Sequence, residues 1–175
     1  MADVQQHTGG SNMPRKIFSS FHYKPDNWRA SQVRNIGAIE GNKLASDNEW
    51  ESVTQGGDAA VERWINEQMK GKSCVVVLIG AGTAGRKWIK YEIKKGWKDG
   101  KGLLGVCIHN LKDLNGDQAK KGRNPFDDFT VDGKKLSSIV KAYDPPYSSS
   151  TNVYSHIKEN IVDWIEEAID IRNRN

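Results

Sequence analysis

Two stretches of this chain hold residues whose types and spacing could do chemistry. The first is Arg86-Lys87-Trp88-Ile89-Lys90-Tyr91-Glu92-Ile93, where an indole and a carboxylate stand four residues apart. On a helix that spacing stacks Trp88 and Glu92 on one face, beside an apolar stripe of Ile89, Ile93 and Trp97. A carboxylate beside an aromatic ring, at the mouth of a sheet, is placed to meet a ligand. Spacing alone leaves a second reading open, a surface glutamate paired with neighbouring lysines. The second stretch, Gly80-Ala81-Gly82-Thr83-Ala84-Gly85, matches G-x-G-x-x-G, the turn that cradles a dinucleotide pyrophosphate. Three features speak against that use. The motif follows a middle strand, the next strand ends in Ile108-His109-Asn110 with no acid to hold a ribose, and the helix begins with the bulky Arg86-Lys87-Trp88. It also fails as a P-loop, since Lys87 is followed by Trp88 and not by Ser or Thr. It reads instead as a glycine-rich strand-to-helix turn that lines a pocket.

The elements that must position these residues alternate. Lys16–Phe21 reads as a first strand. Asp26 is placed to cap a helix carrying Trp28, Val33 and Ile36, and a short strand is expected near Trp50. Asp58 opens a helix with Val61, Trp64, Ile65 and Met69 at helical spacing, ended by Gly71. Ser73–Ile79 and Leu103–Ile108 are apolar runs of the kind that parallel strands buried on both faces require. Between them lies the helix from about Gly85 to Lys98, stopped by Gly100. Residues 110–150 are polar and irregular, with an edge strand expected within Leu136–Tyr143. The final helix carries Val153, Ile157, Ile161, Trp164, Ile165, Ala168 and Ile169 on one stripe, with His156 facing solvent. Strands alternating with helices give an α/β fold, a doubly wound parallel sheet in three layers. Ligands of such sheets sit at the carboxyl ends of the strands. The candidate contacts are therefore Ser20, Phe21 and His22 after the first strand, Gly80 and Thr83 after the third, His109 and Asn110 after the fourth, and Trp88. Ser20 is the strongest of the polar ones. Phe21 could stack on a ring or pack in the core, and His22 could touch phosphate or ribose or merely cap its loop.

Bulk properties narrow the class. The 175 residues suit one core, and residues 1–12 read as a disordered lead or a cloning remnant ahead of a domain over 13–175. The 26 basic and 22 acidic residues give +4, too small an excess to imply nucleic acid, and no nucleic-acid module is visible. No apolar run is long enough to span a membrane and no secretory leader is present, so a cytoplasmic location is expected. Cys74 and Cys107 lie in apolar strands and read as reduced buried thiols. The sequence shows no metal-ligand spacing, and no metal is expected.

Taken in order, Phe18-Ser19-Ser20-Phe21-His22-Tyr23, Val33-Arg34-Asn35, Val77-Leu78-Ile79-Gly80, the Trp88-x-x-x-Glu92 helix and Asn124-Pro125-Phe126-Asp127 resemble TIR-domain NAD⁺-cleaving enzymes. The resemblance spans about residues 15–130. It is greatest to the bacterial TIR-like subfamily that includes the sensor protein of Thoeris anti-phage defence. W-x-x-x-E alone is a weak signal, whereas the ordered set is specific. Residues 130–150 have no clear counterpart.

The resemblance implies a flavodoxin-like sheet and cleavage of the nicotinamide–ribose bond of NAD⁺, with Glu92 as the catalytic carboxylate and no cofactor beyond the substrate. It implies an ADP-ribose-derived, often cyclic product that activates a separate effector, self-association on activation, and a phage-derived trigger. The chemistry is reasonable. Nicotinamide leaves as a neutral molecule from a cation, so no strong acid is needed, and one carboxylate can stabilise the oxocarbenium-like ribose left behind. Two rivals share the sequence features: a TIR adaptor that works by self-association without catalysis, and a nucleoside deoxyribosyltransferase-like enzyme. A phospho-acceptor receiver domain fits poorly, because Ser20-Phe21-His22 stands where acidic residues would be needed.

Overall fold

The computed structural model describes residues 13–175; the proposed lead over 1–12 lies outside them. The strands are β1 (Arg15–Ser20), β2 (Ile39–Gly41), β3 (Cys74–Ile79), β4 (Gly102–Cys107), β5 (Thr130–Val131), β6 (Lys134–Lys135) and β7 (Ala142–Tyr143). Five of them form a parallel sheet in the order β2-β1-β3-β4-β7, while β5 and β6 make a separate antiparallel pair. Every residue of β3 and β4 is buried. The run Cys-Val-Val-Val-Leu-Ile has no polar side chain to turn toward water, so its stable place is a central strand covered on both sides.

Side-chain alternation along the strands divides the core in two. Ile17, Val76, Leu78, Leu104 and Val106 point to one face and meet Ala30 and Val33 of α1 (Tyr23–Arg34) and Val153, Ile157, Ile161 and Ile165 of α5 (Ser150–Asn173). Phe18, Val75, Val77, Ile79 and Cys107 point to the other. They meet Val61, Ile65 and Met69 of α3 (Asp58–Met69) and Ile89 and Ile93 of α4 (Lys87–Lys98). The result is the three-layer α/β architecture expected from the sequence. Helix α4 lies very close to β3: a β-carbon on Gly96 would fall 2.6 Å from Val75 Cγ2. That glycine weakens the helix intrinsically by about 1 kcal/mol, and in exchange α4 packs flat on the sheet with its first turns over the carboxyl ends of the strands.

Several local expectations need correction. Trp50 lies in a helix, α2 (Asp47–Gln55), and the short strand falls earlier, at Ile39–Gly41. Asp26 does not cap α1, which begins at Tyr23 after His22; its carboxylate is buried inside the first turn. Trp28 faces solvent, 51% exposed, because α1 buries the side bearing Arg29, Ala30 and Val33. The edge strand expected within Leu136–Tyr143 is present at Ala142–Tyr143, preceded by a 3₁₀ turn at Leu136–Ser138. His156 is half-buried, with its ring 5.6 Å from Tyr147 and 5.7 Å from Trp164.

Candidate active site

Ser20 closes β1 and shares the parity of Phe18, so it faces the α3/α4 side of the sheet. Glu92 lies one and a half turns into α4. The Ser20 hydroxyl donates a short hydrogen bond to Glu92 Oε2, across 72 residues of sequence. Ser20 is buried and Glu92 half-buried. Among the described residues Glu92 makes no ion pair, although Lys87, Lys90, Lys94 and Lys95 share its helix. The surface-glutamate reading therefore fails: the side chain turns inward. Burial raises the Glu92 carboxyl to about 8, and the Ser20 hydrogen bond only partly offsets it. A half-buried carboxylate with a hydroxyl partner and no cation has its charge in reserve. An incoming positive charge would be stabilised there and would drive ionisation.

The second group assembles around the glycine turn. A β-carbon on Gly80 would fall 2.0 Å from Asp26 Oδ2, and one on Gly82 would stand 3.6 Å from His22 Nδ1. His22, at the start of α1, thus reaches across to the turn after β3. Burial and the nearby Arg86 push its pKa down, with Asp26 opposing, which favours a neutral ring. His22 Nδ1 and Asp26 Oδ2 are buried without hydrogen-bond partners. Arg29 holds the other Asp26 oxygen at 3.2 Å and also donates to the carbonyls of Leu111 and Asp117. This fixes the loop after β4 against α1. The same loop crosses the glycine turn: a β-carbon on Gly122 would lie 2.1 Å from the Gly80 carbonyl oxygen, and one on Gly85 would lie 2.9 Å from Arg123 Nη2. The turn is thereby flanked by protein where a dinucleotide fingerprint would hold its pyrophosphate. Sequence reasoning passed over Asp26 as a site residue, and passed over Arg29 and Arg123. A buried Asp-x-x-Arg at helical spacing was the available signal.

The remaining candidates divide. Trp88 packs against the α4 side of the core, edge-on to Tyr91 with 5.9 Å between ring centroids and Lys87 above it. Phe21 packs toward the α1/α5 side, stacked on Tyr23, on the face away from Glu92. The Thr83 hydroxyl is buried inside the turn, accepting from Gly80 N at 2.8 Å. Asn110 donates to the Tyr147 carbonyl and belongs to the loop framework. His109 is buried beside Cys107 and Asp144, at the β4/β7 edge rather than with Ser20 and Glu92. Both cysteines are free and buried. A hollow of about 600 Å³ lies at the opposite end of the sheet between Arg15, Ile39 and Glu166, and it lacks an arrangement comparable to Ser20–Glu92.

A doubly wound parallel sheet in this order, with an inward carboxylate held at the carboxyl end of β1, defines a TIR-like α/β domain. The family model described as Thoeris protein ThsB, TIR-like domain, matches residues 18–113, and the chain belongs to that family. That span includes Ser20, His22, the glycine turn, Glu92 and His109 but stops short of Asn124-Pro125-Phe126-Asp127. A Bacillus cereus (strain MSX-D12) protein named "Putative cyclic ADP-D-ribose synthase ThsB1" is 35% identical over 133 residues, which cover 71% of this chain and 69% of that protein.

Proposed function

We propose that this chain cleaves the nicotinamide–ribose bond of NAD⁺ at Glu92 and forms an ADP-ribose-derived product, cyclic by preference, that signals to a separate effector in anti-phage defence. The observation that carries the reading is the inward Glu92 carboxyl, hydrogen-bonded to Ser20 and without a cationic partner. The name of the Bacillus cereus relative supports the substrate class.

The step balances without an external acid. The C1′–N bond breaks, its electron pair goes to nitrogen, and nicotinamide departs neutral. The positive charge passes to the ribose, where the Glu92 carboxylate stabilises it. Ser20 orients the carboxylate by donating to Oε2. Capture by water gives ADP-ribose and capture by a nucleophile of the same molecule gives a cyclic product; either releases one proton. In this reading His22, at the glycine turn, contacts ribose or phosphate. In this reading activity rises on self-association, no cofactor is required, and the protein works in the cytoplasm. Among the described residues no helix is long and apolar enough to cross a membrane.

The test is mass spectrometry of NAD⁺ incubated with the full chain over a wide concentration range, with and without its genomic neighbours and phage lysate. Nicotinamide release with an ADP-ribose-derived product supports the proposal. Absence of turnover under every condition favours the adaptor reading.

A further inference from the structure

A second cluster of chemically capable side chains lies two strands away from Ser20. Cys107 ends β4, His109 follows it, and Asp144 follows β7, the strand paired with β4. One donor atom of each, the Cys107 sulfur, a His109 ring nitrogen and an Asp144 carboxylate oxygen, lies within 4.8 Å of the other two. Cys107 is 6% and His109 7% exposed, and His109 Nδ1 is buried with no hydrogen-bond partner. Leaving a buried ring nitrogen unpaired is costly, and nothing in the NAD⁺ reading uses it.

We propose that Cys107, His109 and Asp144 bind a divalent transition-metal ion of the zinc class. Thiolate, imidazole and carboxylate is a donor set that zinc accepts, with three protein ligands and a fourth position left for water. Zinc-bound sulfur and nitrogen sit about 3.5 Å apart, from bonds of about 2.3 and 2.0 Å, so the cluster needs to tighten by about 1 Å. The convergence of all three donors also separates this site from a nucleophilic triad. In a triad the carboxylate and the nucleophile occupy opposite nitrogens of the imidazole, whereas here the sulfur and the carboxylate oxygen lie within 4.8 Å of each other and of the same ring nitrogen. Binding replaces the Cys107 S–H bond with a sulfur–metal bond and releases the proton to solvent. Lys121 pairs with Asp144 Oδ2 at 2.9 Å, and its side chain is 61% exposed. The ammonium holds the carboxylate while the site is empty and swings into solvent as the cation enters. The metal would pin the end of β4 to the two-residue strand β7.

The full chain, stripped by chelator dialysis under reducing conditions, is titrated with Zn²⁺ against a chromophoric chelator and with Co²⁺ under a spectrophotometer. One equivalent should bind, with thiolate-to-cobalt charge-transfer absorption in the near ultraviolet. Cys107→Ser should abolish that absorption, and His109→Gln should weaken Zn²⁺ binding by at least the 10–100-fold typical of losing a supporting partner. Lys121→Ala should tighten it by about fivefold, by removing a competing charge at close range. Binding and absorption that persist in Cys107→Ser, or no binding by the parent chain, overturn the site. Should Cys107→Ser fail to fold by circular dichroism, Lys121→Ala and Asp144→Asn decide. Opposite changes in Zn²⁺ affinity support the site, and unchanged affinity in both overturns it. None of these readings depends on NAD⁺ turnover.

Discussion

Two carboxyl groups lie at the carboxyl end of the sheet, and both are held above their ordinary pKa by burial, yet their surroundings differ in kind. Asp26 has a guanidinium: Arg29 reaches it at 3.2 Å and extends to the backbone of the loop after β4. Glu92 has only the Ser20 hydroxyl. A buried carboxylate whose counter-charge comes from its own chain is committed to structure, because removing either partner leaves an uncompensated charge. A carboxyl without one is held toward its uncharged form by burial and would be ionised by a neighbouring positive charge. Under the proposed function the contrast gives Asp26 an architectural role and Glu92 the chemical one.

The largest expected effect tests the structural half. Arg29→Ala leaves Asp26 without its counter-charge and frees the carbonyls of Leu111 and Asp117, so stability should fall by about 3–5 kcal/mol, the usual result of breaking a buried pair. Urea denaturation measures it. A loss near 1 kcal/mol would place Asp26 and Glu92 in the same class.

Next in size is the chemical half. Glu92→Gln should lower NAD⁺ turnover by about 10²–10³, roughly 3–4 kcal/mol in the barrier, with the circular dichroism spectrum unchanged. The pH dependence follows from the sign of the shift. The folded carboxyl titrates near 8 against an ordinary 4.5, so the protonated form is favoured by folding. The stability it contributes is complete below about 4.5 and lost as pH rises through about 8. Parent and Gln variant should therefore differ in Tm in a pH-dependent way, the parent losing ground over that interval. In the free enzyme kcat/KM should rise with pH and level off above about 8, since the ionised form does the work. A profile flat from pH 6 to 9 would contradict a titrating Glu92.

Ser20→Ala sharpens the contrast further. Its hydrogen bond favours the ionised carboxyl, so the variant should move the kcat/KM limb to higher pH and reduce turnover at neutral pH by about tenfold, the scale of a bond to a charged group. Loss of turnover with an unshifted limb would make Ser20 a packing residue.

The smallest effect belongs to the glycine turn. An added methyl on Gly82 meets His22 Nδ1 at an ordinary 3.6 Å, so Gly82→Ala should change KM for NAD⁺ less than threefold, within the roughly 0.5 kcal/mol of a tolerated substitution. A pyrophosphate wrapped on this turn in dinucleotide-fold fashion would instead make the substitution severe.

What could be read from the sequence followed local rules. The apolar runs of β3 and β4 have one stable environment, and α3 and α5 announce themselves by stripes at helical spacing. Helix α2 escaped because none of its side chains is fully buried, so periodicity had little to report. Its signal was the capping box, with Ser46 accepting from Glu49 N and Glu49 returning to Ser46 N. Strands β2 and β7 have three and two residues, too few for alternation to show. The sequence by itself determined the layered α/β pattern and placed Trp88 and Glu92 four apart on one helix. It left open whether Glu92 faced lysines or the sheet. Only the tertiary structure decided that, by bringing α4 onto β3 at Gly96 and setting Ser20 under the carboxyl. It alone brought Asp144 to Cys107 and His109. The physical reason is common to both: side-chain direction and partners across 72 residues depend on how helices dock on the sheet, and docking is a property of packed surfaces that no local spacing encodes.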